Sequence, residues 1–502
     1  MKKKFETIRY DKREALRRYT NPYPDRFPVN TTLKELQNAV DGSTDIQTAG
    51  RITFIRRMGK LSFAKLADIE GSIQIAIKQD ILGEELYHIF QKYIDIGDFV
   101  GVKGEIFTTR TGEKTIRVSE MTFLGKSLRP LPEKYHGINN VDACYRHRYL
   151  DLIMNNETKQ RFLLRSQFIK LIRHYLDNEG YIEIETPILI NHPSGALAKP
   201  FLSHHNALDM DVYLRIAPET YLKRAIVGGF TKVYEVARCF RNEGIDASHL
   251  QDFTMLECYC AYYNYQDNMI FIQQLLKTII HKLFGTLIVT LKGQLVDFSG
   301  DWPQVSFREI ILKDTGIDIN TCSSRLNLIK AIEEKGITLQ TTQENISTLG
   351  MGNLIDLLYK QVCRPKIIQP TFLTEHPLSL SPLARSNDNN PQITDRFQLI
   401  VNGAEIINAY SELVDPVEQY NRLVKQAELN SQGDSEAMVM DQDYIEAMEY
   451  GMPPISGWGI GIDRMVQILG DADNIKDTVL FPLMRPLENE SYPQFVNSND
   501  VT

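Results

Sequence analysis

Between residues 47 and 124 the chain repeats one pattern five times, a short stretch in which apolar and polar residues alternate. The stretches are QTAGRITFIRR (47–57), LSFAKLAD (61–68), IQIAIK (73–78), FVGVKGEIF (99–107) and KTIRVSEMTF (114–123). Successive side chains of a strand leave on opposite faces, so a period of two marks strands with one buried face. TRTGEKT (109–115) places Gly112 at a hairpin turn. ILGEELYHIFQKYI (81–94), between the third and fourth stretches, has helical spacing and reads as one helix. Five strands with a helix between the third and fourth fit an OB-fold β-barrel over 45–125. Other small barrels share that pattern, and it does not by itself establish nucleic-acid binding.

The style then changes. Pro130, Pro132 and Gly137 among polar residues mark a linker at 126–148. From Tyr149 the helices lengthen, and TKQRFLLRSQFIKLIRHYLDNEG (158–180) is helical up to Gly180. YIEIETPIL alternates and meets Pro187. Residues 286–370 read as a mostly helical insertion, with a capping box at Ser306–Glu309. At about 150 residues per domain the length allows about three units. The insertion belongs to 149–502, so two domains of α+β class are expected, preceded by a basic helical segment at 1–44.

Net charge is −8 with 24% charged residues, which fits an ordinary soluble domain and excludes long disorder or a fibre. No stretch nears the roughly 20 apolar residues of a membrane span. Residues 1–18 carry eight basic and three acidic residues, either a basic helix meeting phosphates or a solvated leading helix. No apolar core follows these lysines, and six cysteines in 502 residues fit reduced thiols, so a cytoplasmic setting is expected. Cys258 and Cys260 share a strand face, and core packing is their expected role.

Four segments carry chemistry: GYIEIETP (180–187), CFRNEGIDASHLQDFTMLECY (239–259), GAEIINAYSEL (403–413) and GWGIGIDRM (457–465). Arg241 and Glu243, two apart, read as neighbours on one strand face. They form either a plain ion pair or a site in which the guanidinium fork holds a phosphate. Glycines at 457, 459 and 461 describe a strand stripped of side chains so that something flat can lie on it. Arg464 follows near a helix start, where a phosphate is well placed. Glu405 and Glu412, with Asn408 between, form an acidic patch for a metal or a cation.

GYIEIETP, FRNE and GxGxGxxR, in that order, resemble the three motifs of class II aminoacyl-tRNA synthetases. The OB-fold narrows the resemblance to the aspartyl, asparaginyl and lysyl subgroup. RPLPEKYHG (129–137), HHNALDMDVYLRIAPETYLKR (204–224), SPLARSNDNNP (381–391), TDRF, NAYSEL and GWGIGIDRM are similar to lysyl-tRNA synthetases. The resemblance covers about residues 45–485. It implies activation of lysine with ATP to lysyl-adenylate, then transfer to the 3′-terminal adenosine of tRNA(Lys), with Mg²⁺ and a homodimer joined through the first motif near Pro187.

Residue by residue, the resemblance implies that Arg241 holds the α-phosphate, Arg464 the γ-phosphate end, and that Phe253 stacks on adenine opposite Arg464. Glu243 and His249 seat the nucleotide and Glu405 binds Mg²⁺. Gly195, Glu219, Glu257, Tyr259, Asn408 and Glu412 form the amino-acid pocket. Phe63, Gln74 and Glu113 read anticodon bases by stacking and edge hydrogen bonds. Carboxylates suit this substrate on physical grounds, because a desolvated ammonium needs close counter-charges.

The sequence departs from the family pattern in three places. Gln398 stands where Glu is usual in the metal pair, which implies a weaker Mg²⁺ site. Leu250-Gln251-Asp252 replaces Asn-Pro-Glu, and Lys199 replaces Arg. Two alternatives follow: a paralogue that transfers lysine or an analogue to a non-tRNA acceptor, and a non-catalytic tRNA-binding protein. The OB domain argues against the first. Arg241, Glu243, Arg464 and Glu405 argue against the second.

Overall fold

A computed structural model describes residues 2–132, 140–196, 198–244, 246–340, 349–431 and 438–487. It divides into two compact units, Met1–Lys159 and Gln160–Thr502. In the first, the five alternating stretches are strands β1 (Ile46–Met58), β2 (Leu61–Ala67), β3 (Ser72–Lys78), β4 (Phe99–Thr108) and β5 (Lys114–Gly125). They close into a barrel in the order β1-β2-β3-β5-β4. Alternation puts Ile52, Ala64, Leu66, Ile75, Ile77, Val100, Val102, Ile106, Ile116 and Val118 inside, all fully buried. Closure needs Gly104, at a register shift between β4 and β5, because a Cβ there would lie 2.1 Å from the Arg117 carbonyl oxygen.

The segment between β3 and β4 is not one helix. A single turn, Gln79–Leu82, is separated from the helix Glu84–Tyr93 by Gly83 at φ 89°, a conformation open to glycine. The leading helix, Lys2–Leu16, buries Leu16 in the barrel's apolar cluster. Arg9 donates to the Ser127 and Ile96 carbonyls, and Lys12 pairs with Asp95 at 2.6 Å. Part of the basic segment is therefore engaged with its own unit. The expected linker contains the helix Val141–Arg146, followed by the helix Arg148–Met154. Residues 133–139, within the quoted RPLPEKYHG, lie outside the described residues.

In the second unit the chain forms β6 (Ile182–Glu183), the small sheet β7 (Leu189–Ile190), β8 (Phe201–His205) and β9 (Met210–Leu214), then β10 (Lys232–Phe240) and β11 (Asp252–Ala261). After the hairpin β12 (Ile288–Leu291) and β13 (Gln294–Asp297) come β14 (Gln304–Ser306), β15 (Thr371–Thr374), β16 (Arg396–Val401), β17 (Ala404–Ser411) and β18 (Ile455–Gly461). Eight of these form one sheet in the order β14-β15-β16-β17-β18-β11-β10-β6, antiparallel except for the two edge pairs. One face packs on the helices Asn156–Asn178, Tyr265–Phe284 and Ile462–Leu469 through Phe168, Ile172, Ile272, Leu256, Cys258, Ile407 and Ile460. Cys239, Cys258, Cys260, Cys322 and Cys363 form no disulfide, and Cys258 and Cys260 lie in this core.

The insertion is less purely helical than expected. It opens with the β12–β13 hairpin and lends β14 to the sheet edge before the helices Phe307–Thr315, Arg325–Glu334 and Met351–Leu358. The Ser306 hydroxyl and Glu309 carboxylate cap the first of these reciprocally. Phe307, Leu328 and Leu354 form a separate apolar cluster that includes Leu373 and Ile400 of the sheet.

Candidate active site

The other face of the sheet carries a cavity of about 340 Å³. Strand parity decides who reaches it. On β11 the odd residues Phe253, Met255, Glu257 and Tyr259 line it, while Leu256 and Cys258 go to the core. On β18, Gly457, Gly459 and Gly461 form its floor. Gly457 lies in register between Tyr410 and Tyr259, and Gly459 between Asn408 and Glu257. A Cβ on Gly457 would fall 2.3 Å from Tyr259 Cε1, so its missing side chain is replaced by the chain's own tyrosine ring. At Gly459 and Gly461 the nearest atoms would lie at 3.4 and 3.6 Å, ordinary van der Waals contact rather than a clash.

β17 reaches the cavity through an irregularity. Glu405 and Asn408 are an odd number apart and a regular strand would send them to opposite faces. The pairing shifts between Leu399 and Ile400, so that Leu399 faces Ile407 while Ile400 faces Glu405. The extra residue, Ile406, turns Glu405 back to the side of Asn408 and Tyr410, and all three line the cavity.

One end of the cavity is acidic. Glu219 opens the helix Glu219–Val227 and is 5% exposed. Its Oε1 accepts from the Tyr410 hydroxyl at 2.7 Å and from Lys223 Nζ at 2.6 Å. Its Oε2 has no partner among the described residues. The Tyr259 hydroxyl donates to Glu257 Oε2 at 3.0 Å. Burial, reinforced by the nearby Glu219 charge, pushes the Glu257 carboxyl up to about 8. Gly195, at φ 91°, closes against Glu219, whose Cβ would lie 3.0 Å from any side chain there. Glu412 is 2% exposed and does not line the cavity; its Oε2 meets Lys223 Nζ at 2.5 Å.

The other end is cationic. Arg241 and Glu243 do not sit on a strand as expected, because β10 ends at Phe240 and both lie in the following loop. The Arg241 guanidinium covers the Phe253 ring at 5.1 Å, and its buried Nε has no hydrogen-bond partner among the described residues. Arg464 lies in the first turn of the helix Ile462–Leu469 and donates to the Glu405 carbonyl at 3.0 Å. Asp463 anchors that helix by accepting from Thr254 N–H at 2.6 Å and pairing with Arg165 at 2.5 Å. His249 sits on the exposed rim with Nδ1 2.8 Å from Asp246 Oδ2. Burial works against ionisation of Asp246, but the Ser248 N–H and the His249 ring hold its carboxyl down at about 2.

The departures from the family pattern have defined places. Gln251 ties the loop's ends together: its carbonyl accepts from Arg241 N–H at 2.8 Å and its amide donates to the Glu243 and Gly244 carbonyls. Asp252 pairs with Arg238. Lys199 meets the loop through its backbone, accepting from Asn242 N–H at 2.7 Å. Gln398 pairs with Asn408 across the strands, is 7% exposed and does not line the cavity. No side chain among the described residues donates a hydrogen bond to the Glu405 carboxylate. No group of three or more acidic, His or Cys ligands gathers among them.

Sequence reasoning missed Tyr410, Arg396 and Lys223. Tyr410 is two residues from both Asn408 and Glu412, so period two would have found it. Arg396 donates to Asn408 Oδ1 at 2.9 Å and lies inside the quoted TDRF. Nothing in the sequence separates Lys223 from its neighbouring helix cations. On the barrel, Phe63, Gln74 and Lys65 share the outer face of β2 and β3, where Phe63 pairs with Ala76 and Lys65 with Gln74. Gln74 donates to Thr115 at 2.9 Å. Glu113 is exposed between β4 and β5.

A family model described as tRNA synthetases class II (D, K and N) matches residues 140–485, and one described as an OB-fold nucleic acid binding domain matches residues 46–124. A lysine–tRNA ligase of Syntrophomonas wolfei is 45% identical over 473 residues, 94% of each chain. One of Thermosipho africanus is 45% identical over 479 residues, 94% of this chain and 93% of the relative. One of Pelotomaculum thermopropionicum is 45% identical over 484 residues, 96% and 95%. With an OB barrel ahead of an antiparallel sheet whose glycine-floored cavity is acidic at one end and cationic at the other, the chain belongs to the class II tRNA synthetases of the D, K and N group, in the lysine–tRNA ligase family.

Proposed function

We propose that this enzyme activates L-lysine with ATP and transfers the lysyl group to the 3′-terminal adenosine of tRNA(Lys). The supporting observation is the polarity of the cavity on this sheet face, with Glu219, Glu257 and Tyr259 at one end and Arg241 and Arg464 at the other. The substrate's ammonium goes to the acidic end, where it meets the Glu219 carboxylate. This directs its carboxylate along the floor, past Asn408 and Gly459, toward the phosphates.

The carboxylate oxygen attacks the α-phosphorus in line, the bond to the bridging oxygen breaks, and pyrophosphate leaves. Arg241, whose Nε has no partner among the described residues, neutralises charge on the α-phosphate. Adenine stacks on Phe253, Arg464 holds the far phosphate, and Glu243 and His249 close the rim. Glu405 fits a Mg²⁺ site, because Mg²⁺ is usually held by one or two carboxylates with substrate phosphates and water completing its shell. When bound, Mg²⁺ supplies charge neutralisation at the phosphate oxygens. The tRNA 3′-hydroxyl then attacks the adenylate carbonyl and AMP leaves. No side chain acts as nucleophile; positioning and charge neutralisation carry the rate.

The barrel face bearing Phe63 and Gln74, with Glu113 beside it, reads the anticodon. The protein acts as a homodimer in the cytoplasm; among the described residues no helix is long and apolar enough to cross a membrane. Lysine-dependent ATP–pyrophosphate exchange followed by charging of total tRNA with labelled lysine tests this. Both activities are expected. Exchange without charging would move the acceptor away from tRNA, and no exchange with any amino acid would remove the catalytic reading.

A further inference from the structure

The most buried cation in the second unit is one the mechanism above does not use. Lys223 lies on the helix Glu219–Val227, its side chain 0% exposed. Its ammonium meets Glu219 Oε1 at 2.6 Å and Glu412 Oε2 at 2.5 Å. Three tyrosine rings surround it, Tyr410 at 5.6 Å, Tyr444 at 5.8 Å and Tyr259 at 5.9 Å. Glu219, Tyr259 and Tyr410 line the cavity; Lys223, Glu412 and Tyr444 do not. A second ammonium site, already occupied by the protein, therefore stands directly behind the proposed one and shares Glu219 with it.

We propose that Lys223 is a specificity-determining positioning residue, a resident ammonium that holds Glu219 and Glu412 in place and so fixes the Glu219 carboxylate that faces the substrate's ammonium. This rests on the reading of the cavity as a lysine site.

The charges support it. Burial alone would pull a lysine's proton affinity down, but Glu219 and Glu412 raise it well above its ordinary value, so the group stays charged. Burial pushes Glu257 up to about 8, so near pH 7 it keeps its proton. Burial pushes the Glu412 carboxyl well above its ordinary range as well, against the pull of Lys223. Without Lys223, Glu219 and Glu412 would share a dry site with no cation between them, which is costly. They would relieve it by taking up a proton or by moving apart, and either change spoils the geometry at Glu219 Oε2. The Tyr410 hydroxyl, bonded to the same Oε1, completes the clamp.

The experiment measures lysine-dependent ATP–pyrophosphate exchange in Lys223→Met and Glu412→Gln, with separate KM values for lysine and ATP. Both variants are expected to raise the lysine KM by about tenfold or more, the scale of breaking a buried charge pair, and to leave the ATP KM within about twofold. In Lys223→Ala, propylammonium is expected to lower the lysine KM again while 1-propanol is not. A lysine KM within about twofold of wild type in either variant overturns the proposal. So does a parallel rise in both KM values, or equal rescue by the alcohol, which would make Lys223 a space-filler. If Lys223→Met fails to fold, Glu412→Gln decides, since it removes the partner and leaves the lysine in place. Failure of the lysine-site reading is distinguishable, because wild type would then show no lysine-dependent exchange.

Discussion

The three glycines of β18 make a graded test of the site. At Gly457 an alanine Cβ would lie 2.3 and 2.6 Å from two Tyr259 ring carbons and 2.6 Å from Glu412 Oε1. None of these is the loose end of a flexible chain, because the Tyr259 hydroxyl is bonded to buried Glu257 and Glu412 is paired with buried Lys223. Gly457→Ala must therefore displace the ring, an overpacking cost of about 1–3 kcal/mol. That corresponds to a loss of about 2–4 °C in Tm per kcal/mol for a large domain. Displacement breaks the Tyr259–Glu257 bond at the acidic end, so the lysine KM should rise by about tenfold or more while the ATP KM stays near wild type. Gly461→Ala meets only Arg464 Cβ at 3.6 Å. It should cost little stability, and its effect should fall on the ATP KM, because the added methyl occupies floor beside Arg464. Thermal melts and pyrophosphate exchange on the two variants read both quantities. A Gly457→Ala protein with wild-type Tm and wild-type lysine KM would refute the packing of Tyr259 on that glycine. A Gly461→Ala protein that lost lysine affinity instead would reverse the assigned ends of the cavity.

Arg241→Ala should lower exchange by about 10²–10³-fold or more, since it removes a preorganised charge from the α-phosphate; near-normal exchange would end that assignment. Phe63→Ala should weaken tRNA charging and spare exchange, whereas equal loss in both would indicate misfolding. Gln398→Glu should lower the Mg²⁺ concentration needed for half-maximal exchange, and an unchanged requirement would remove Gln398 from the metal's surroundings. Glu257 gives a pH signature in the ligand-free protein. Below about 4.5 both states hold its proton, while between there and about 8 only the folded state does, so this group's contribution to stability falls as pH rises across that window. The Tm advantage of Glu257→Gln over wild type should grow from pH 5 to 8 and level off above; a flat difference would mean that Glu257 is ionised in the folded protein.

The barrel was legible because its signal is local: alternation at period two names both the strands and their inward residues. The break at Gly83 is not legible in the same way, since a glycine within a helical pattern reads as tolerated until its φ is known. In the second unit the residue types were legible and their directions were not. Glu405 and Asn408 reach one cavity only because Ile406 is an extra residue in β17, and that irregularity shows only in the pairing with β16, the preceding strand of the hairpin, not in the alternation of β17 itself. Arg241 and Glu243 were read as strand neighbours because their spacing allows it, yet β10 ends one residue earlier. The meaning of Gly457 also needed a partner strand. The glycine makes room for Tyr259, nearly two hundred residues before it in sequence.

Lys223 shows why counting acids near a candidate site misjudges its charge. Three carboxylates, Glu219, Glu257 and Glu412, seemed to await one ammonium, which would leave two charges unanswered in a buried space. Burial is too expensive for that to stand. The structure relieves the excess in ways available only in three dimensions: burial pushes the Glu257 and Glu412 carboxyls up, and Lys223, one turn along the helix that Glu219 opens, lies between Glu219 and Glu412. The same reasoning applies to the whole chain. A formal charge of −8 describes no surface in particular. Glu219 and Glu412 are both paired with buried Lys223, Lys12 is paired with Asp95, and Arg9 is taken up by carbonyls of the first unit. What a polyanionic tRNA meets is the remainder, including the Lys65 and Arg56 side chains that flank Phe63 across β1, β2 and β3. Charge reversal at Arg56 or Lys65 should therefore weaken tRNA charging more steeply as salt is lowered, while exchange, which needs no tRNA, stays constant. Salt-independent loss would place the contact away from the phosphates.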